Sequence, residues 1–462
     1  MSRNLLNNLR IAITGSEKSF TTGSINRAIF MLSVPMILEM VMESLFAIVD
    51  IFFVSKVSVN AVATIGLTES VVFLVFAIAI GLSMAATAMV ARRTGENKPE
   101  EASEAAWQAI LIASTFSMLI SIAGFFFAKD VLQLMGASEA VVEEGYGYTK
   151  WMLGGNITIM LLFLINAIFR GAGDASLAMK TLWFANGINI ILDPILIFGL
   201  GPISGFGVEG AAIATTIGRG SAVLFQLYNL FFKSNLIQIK RHHLMPNFPV
   251  IQRLIKVSLG GMGQYLIGTA SWLFMVRIIS MFGSEAIAGY TISMRIIMFS
   301  ILPSWGFSNA AATLVGQNLG AKQPLRAEQS VWKCAHYNMF FLLFVSIIFF
   351  VFAEPIVGLF NAHGKVAEYG VQSLHYITTG YIFFAYGMVL SQAFNGAGDT
   401  RTPTIINFFA YWLFQLPLAY LLAVVLGMGP GGAFLSVAIS IVFIASAFVV
   451  AFRRGKWKLV KI

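Results

Sequence analysis

Glu39, Glu43 and Asp50 stand four and seven residues apart inside a long apolar run, so a helix sets all three carboxylates on one stripe. A carboxylate at bilayer depth is costly unless it is paired, protonated or wetted, which makes each a candidate for ion or substrate chemistry. In FANGINIILDPILIFG, Asn189 precedes Asp193 by one helical turn on the same face. Asp50 and Asp193 both fall in the outer halves of their helices, so they can share one depth. With the amide oxygen of Asn189 and the hydroxyl of Thr215 or Thr216 from the next helix, they supply the hard oxygen ligands of Na⁺ or a proton relay. The plainer alternatives are an interhelical hydrogen bond for Asn189 and a neighbouring backbone group or arginine for Glu39 and Glu43. Glu69 and Arg295 lie near outer helix ends, where snorkelling to the interface accounts for them. Arg219 and Arg277 sit inside helices and could neutralise acids.

These side chains need a membrane bundle to hold them. The chain of 462 residues is 58% apolar and 11% charged, with mean hydropathy +0.80, and that much apolar surface belongs in a bilayer. Each crossing takes about 20 mostly apolar residues. By that rule the sequence predicts an all-α polytopic protein with twelve transmembrane helices, near 28–54, 62–91, 105–127, 149–169, 178–200, 208–233, 252–281, 287–318, 330–352, 373–393, 403–427 and 430–452. The odd-numbered connections hold only Lys56, Lys129, Lys150 and Lys365. Apart from Arg219, Arg277 and Arg295, the rest of the 30 Lys and Arg lie at the two ends and in the even-numbered connections. The positive-inside rule then places both termini in the cytoplasm and the protein in the cytoplasmic (inner) membrane. The same bias explains the net charge of +9, with no need for a nucleic-acid partner. The single cysteine, Cys334, leaves no intrachain disulfide and no cysteine metal cluster. No cleavable signal peptide is expected, and residues 4–13 read either as a short amphipathic helix on the inner leaflet or as a disordered lead.

The chain is also duplicated. A constant offset of 225 lays Gly81, Ser83, Ala85, Val90, Gly95, Pro99 and Trp107 on Gly306, Ser308, Ala310, Val315, Gly320, Pro324 and Trp332. It lays the tetrapeptide 171–174 (Gly-Ala-Gly-Asp) on 396–399. The polar stretch 234–250 divides the repeats, giving an N-lobe over 1–233, a cytoplasmic linker and a C-lobe over 251–462. Six helices is an even number, so the repeats are parallel, which predicts two pseudo-symmetric six-helix bundles around a central cavity. The acids are not duplicated: Glu39, Glu43, Asp50 and Glu69 fall on Gln264, Gly268, Met275 and Met294. A structural role would be kept in both halves, so one working site in the first half is expected.

Other features are assigned structure. The two GAGD segments lack the strand, spacing and lysine of a phosphate loop and read as a helix stop followed by an Asp cap. Segments near 129–136 and 354–360 read as matching amphipathic caps on the outer face. Pro35, Pro194, Pro303 and Pro417 fall within helices, and Pro35, which shares its helix with three acids, is the candidate hinge. The histidines 242, 243, 336, 363 and 375 show no metal-ligand spacing within a shared helix.

With these residues in hand, the chain resembles the multidrug and toxic compound extrusion family of cation antiporters. The resemblance is carried by Pro35 through Asp50-Ile51-Phe52-Phe53-Val54, by Ala88-Met89-Val90-Ala91-Arg92-Arg93 with Gly95, by the doubled GAGD, and by Gly210 through Thr215. It implies two six-helix lobes around a V-shaped cavity, exporting amphipathic, often cationic compounds in exchange for H⁺ or Na⁺. It also implies an N-lobe cation site at Asp50, Asp193, Asn189 and Thr215, the first three of which could hold Na⁺, and it does not decide between Na⁺ and H⁺. Pro35 matches the bending position, and Glu43 and Asn166 match polar cavity positions. Gly268 and an acid-free tenth helix depart from the branch that places coupling acids in the second half.

The expected function is therefore a secondary active multidrug efflux antiporter, not an enzyme. Its substrate cavity takes Glu39, Glu43 and Asn166, its partners are small-molecule drugs or cations and membrane lipid, it is monomeric, and it has no cofactor beyond the coupling ion. The rivals are a lipid-linked saccharide flippase, for which a basic cavity is expected, and an intramembrane enzyme, which needs nucleophilic or acid–base groups gathered at one interface.

Overall fold

Hydropathy and glycine spacing together produce a bundle of long helices. The computed structural model describes residues 2–15, 20–233 and 236–462. A short helix, α1 (Ser2–Thr14), comes first. The first bundle follows with α2 (Ile25–Val54), α3 (Val59–Gly95), α4 (Pro99–Leu134), α5 (Glu139–Gly154), α6 (Asn156–Ala172), α7 (Ala175–Phe198) and α8 (Val208–Tyr228). A small antiparallel pair, β1 (Gly199–Leu200) and β2 (Ile203–Ser204), links α7 to α8. The second bundle holds α9 (Phe248–Ser280), α10 (Ser284–Gly320), α11 (Pro324–Val351), the short α12 (Ala353–Gly358), α13 (Gly364–Thr379), α14 (Tyr381–Ala397), α15 (Arg401–Phe408), α16 (Leu416–Tyr420) and α17 (Pro430–Arg453).

Among the described residues seven spans, with residues 401–425 as one, are long and apolar enough to cross a bilayer, and two bent pairs, α5–α6 and α13–α14, add two more. The helices α2, α8 and α9 complete the twelve, and α2 and α8 carry charges in mid-span. The bends of 41° and 59° within the fourth and tenth crossings were not foreseen from hydropathy. At the first of them Asn156 compensates for the broken ladder, donating to Leu153 O at 2.6 Å and to Ser117 O at 3.2 Å on α4.

The expected pair of outer caps is only half matched. Residues 129–134 are the end of α4 itself, beyond a kink at Phe127 (φ −110°, ψ 19°), whereas α12 is a separate helix. Helix α2 runs unbroken through Pro35. Around Pro417 the eleventh crossing widens into π-helical turns, Phe409–Gln415 before and Leu421–Val425 after, as a proline that deletes one ladder bond and crowds the preceding turn allows. Both GAGD segments are helix stops. Gly173 (φ +100°) and Gly398 (φ +86°) end α6 and α14 in the left-handed region, and Asp174 and Asp399 accept from the amides of Leu177 and Thr402 at 3.0 and 3.1 Å.

The bundles touch through small residues. A side chain added at Gly95 would lie 1.9 Å from Gln317 O, and one at Gly320 would lie 2.2 Å from Arg92 O. Ala91 and Gly316 meet beside them, so α3 and α10 are locked backbone to backbone at the end that carries the basic connections. The inner half of α2 belongs to both bundles: Leu32 and Met36 are buried in a core with Leu314 and Phe394.

Candidate functional site

The polar side chains of the first bundle form two clusters rather than one. In the outer cluster α7 supplies Asn189 and Asp193, and α8 supplies Thr215. Gly218 lets α8 approach, since a side chain there would stand 2.7 Å from Ala185 O. Asn189 Nδ2 donates to Asp193 Oδ1 at 3.3 Å within α7 and to Thr215 Oγ1 at 3.1 Å on α8, so the expected interhelical bond exists and ends on the hydroxyl. Thr216 bonds back to Ala212 O on its own helix, which leaves Thr215 as the hydroxyl of the cluster. Asp50 on α2 is near enough for its charge to act on Asp193. Three oxygens here are buried without a hydrogen-bond partner: Asp50 Oδ1, Asn189 Oδ1 and Asp193 Oδ2. Buried polar atoms are nearly always satisfied, so these three orphaned acceptors are the candidate ligands for a cation.

The second cluster lies closer to the basic end and faces a cavity of about 260 Å³ between the bundles. Glu39, 1% exposed, accepts from Arg170 Nη1 at 2.6 Å and from Asn166 Nδ2 at 3.0 Å, both on Oε1. Its Oε2 is buried with no partner. Gln226 of α8 donates to Asn166 Oδ1 at 2.7 Å and fixes that amide's orientation. Met40, Met84, Phe163 and Trp305 supply apolar and aromatic wall, and Asn309, Gln392 and Asn395 supply neutral polar groups from the second bundle.

Glu43 joins the two clusters. It lines the cavity, accepts from Asn186 Nδ2 at 3.4 Å and lies 3.8 Å from Arg219, whose guanidinium also rests over the Phe46 ring and acts on Asp50. Of the site residues expected from sequence, Asp50, Asn189, Asp193 and Thr215 stand together, and Glu39, Glu43 and Asn166 stand together around the cavity.

Three things escaped the sequence. Arg170, counted there with the basic connections, lies on the buried Glu39. Arg295 of the second bundle is the opposite charge that acts on Glu69 of the first. Glu100, His242 and His243 also converge, among the described residues, with both His Nε2 atoms about 3 Å from Glu100 Oε2. With Lys240, which pairs with Glu100 Oε1, the last group is a polar clamp for the linker. His243 Nδ1 already accepts the Lys240 amide at 3.0 Å, so the ring's one proton sits on the Nε2 that faces Glu100, and that atom has no lone pair for a metal.

Comparison with known proteins follows the same outline. The MatE family model matches residues 35–195 and 262–421, once in each bundle. A probable multidrug resistance protein NorM of Thermotoga maritima is 27% identical over 441 residues, covering 94% of this chain and 93% of its own. An FAD transporter of Shewanella oneidensis is 25% identical over 399 residues, covering 86% and 88%. A solved outward-facing multidrug resistance MATE family transporter of the MOP superfamily superposes with a TM-score of 0.89 at 25% identity, over 96% of this chain and 99% of that one.

Proposed function

The chain belongs to the MatE family, and from that premise we propose that it is a drug/cation antiporter of the cytoplasmic membrane with both termini inside. It exports amphipathic, often cationic compounds in exchange for inward H⁺ or Na⁺. The observation that carries this reading is the separation of a cavity holding Glu39 and Glu43 from a cluster of three orphaned oxygens at Asp50, Asn189 and Asp193. One helix, α2, runs through both.

A cation entering from outside is taken by Asp50, Asp193 and the carbonyl oxygen of Asn189, with Thr215 completing the donor set. Neutralising the two aspartates removes their mutual repulsion and frees α2 to repack near Pro35, where one ladder bond is already missing. Glu43 and Glu39 ride on the same helix, so the grip on drug weakens as the cation binds. Drug arriving from inside reverses the sequence. Each inward elementary charge contributes about 2.3 kcal/mol per 100 mV, enough for roughly a fiftyfold gradient of an uncharged drug. The bundles locked at the basic end suit an outward-facing state. A flippase of lipid-linked saccharide calls for a basic cavity, and here the charged lining is Glu39 and Glu43 against Arg170.

The deciding experiment is export of a fluorescent cation from vesicles of defined polarity, driven in turn by a pH gradient and by a Na⁺ gradient. Export with either supports antiport and identifies the ion. No export under either gradient, with protein inserted and folded, overturns the proposal.

A further inference from the structure

The duplication provides an internal control for the Glu39–Arg170 pair. At the offset of 225, Glu39 corresponds to Gln264 and Arg170 to Asn395. In the second bundle these two amides also bond to each other, in both directions: Gln264 Nε2 to Asn395 Oδ1 at 3.0 Å, and Asn395 Nδ2 to Gln264 Oε1 at 3.2 Å. The same brace between the first and fourth crossings of a bundle is thus built twice, once charged and once neutral. Bracing needs no charge, since the amide pair does it with both partners buried. Burying an ion pair instead costs desolvation that the neutral version avoids.

The charged version is also left incomplete. Both donors to Glu39 fall on Oε1, and Oε2 is buried without one, although an ionised carboxylate accepts on both oxygens. The amide pair has no such vacancy, because each amide gives and receives, and Asn395 Nδ2 makes a further bond to Gln392. Glu39 lines the cavity, and its Oε2 is the one acceptor of the pair left unsatisfied, on a carboxylate whose charge is already balanced by Arg170. Charge alone gains little there. A hydrogen bond to Oε2 gains more.

We propose that the Glu39–Arg170 pair reads the head group of the substrate, selecting protonated amines and guanidines, whose N–H groups reach Oε2 of Glu39, over quaternary cations that carry no N–H. This rests on the export reading above and narrows its substrate class. Arg170 is a positioning residue: it holds Oε1, cancels the bare Coulomb attraction and leaves Oε2 to discriminate. Its backbone oxygen accepts from Thr313 of the second bundle at 3.1 Å, which fixes it at the boundary between bundles.

The test uses two probes with one aromatic body, naphthylmethylammonium and naphthylmethyl-trimethylammonium, titrated against the purified full chain in detergent. The wild type is expected to bind the ammonium about tenfold more tightly, the scale of one charge-assisted hydrogen bond. The double variant Glu39→Gln, Arg170→Asn writes the second bundle's amide pair into the first. It is expected to keep its melting temperature and lose the preference, through weaker binding of the ammonium. A preference retained in that variant overturns the proposal. So does equal binding of both probes by the wild type, which needs no variant to fold. If the wild type neither binds nor exports either probe, the export reading falls, and this proposal with it.

Discussion

Arg92 and Gln317 occupy the same position in the two repeats, and each reaches across to the GAGD segment of the opposite bundle. Arg92 Nη2 donates to Ala397 O at 3.4 Å and Gln317 Nε2 donates to Gly171 O at 3.0 Å. Around them Gly95 and Gly320 remove the side chains that would keep α3 and α10 apart. The GAGD carbonyls are thus helix ends and cross-bundle acceptors at once. The last residues add to the seam: Trp457 is buried in the core of the second bundle, while Val460 O and Ile462 O accept from Arg92 and Arg93 at 3.2 Å.

Gly95→Ala should loosen this seam. The added methyl would sit on Gln317 O, and forced overpacking of this kind costs about 1–3 kcal/mol. The distance between spin labels at the basic ends of α3 and α10 is expected to lengthen and broaden. Arg92→Gln, which copies the other repeat, should change it far less. Identical distributions in Gly95→Ala and wild type would show that the contact does not hold the bundles closed.

Asp50→Asn and Asp193→Asn should each abolish gradient-driven export while insertion stays normal. Each variant removes a charge from the cluster of orphaned oxygens, leaving less to hold a cation. If either transports near the wild-type rate at equal expression, the coupling site lies elsewhere.

The second bundle supplies the control for that loss. Met275 holds the repeat position of Asp50 and is 1% exposed within an apolar core, so Met275→Ala should cost about 2–5 kcal/mol of stability yet leave the coupling ratio unchanged. Ion-to-drug ratios measured in proteoliposomes decide this. A changed ratio in Met275→Ala would mean that both bundles carry coupling.

Acid should release the linker. The hydrogen bond from Lys240 holds the Glu100 carboxyl below its ordinary range, and burial, helped by the neighbouring His242, holds His243 below the usual imidazole value. Both groups bind fewer protons folded than unfolded, so the stability they lend is present above their unfolded values. It fades as pH falls, first through the His243 range below about 6.5 and then through the Glu100 range below about 4.3. Amide exchange over residues 237–247 is expected to speed up from pH 7.5 to pH 5.5 beyond the chemical exchange trend. Glu100→Gln should steepen that response, because the carboxylate raises the His243 value against the effect of burial. Exchange that follows the chemical trend alone would remove the clamp.

Much of the architecture is local information and is legible in one dimension. Hydropathy marks the twelve crossings, because each span must be apolar whatever its neighbours are, but the bent fourth and tenth begin earlier than expected, at Glu139 and Gly364. The offset of 225 reveals the two bundles, because the glycines that lock α3 to α10 are needed twice. The acids stand out because their repeat partners are Gln264, Gly268 and Met275. What hydropathy could not supply was the rotation and bend of each helix. The bends near Gly155 and Gly380 conserve apolar character and leave no trace in it. The choice of Thr215 over Thr216 depends on which way α8 turns against α7, and that is settled by Gly218 meeting Ala185. The pairing of Glu39 with Arg170, the action of Asp50 on Asp193 and the meeting of Glu100 with His243 all join residues more than a hundred positions apart. Spacing along a helix predicts which side chains share a face, whereas the partner opposite that face is chosen by close packing between helices, and only the tertiary structure holds that choice.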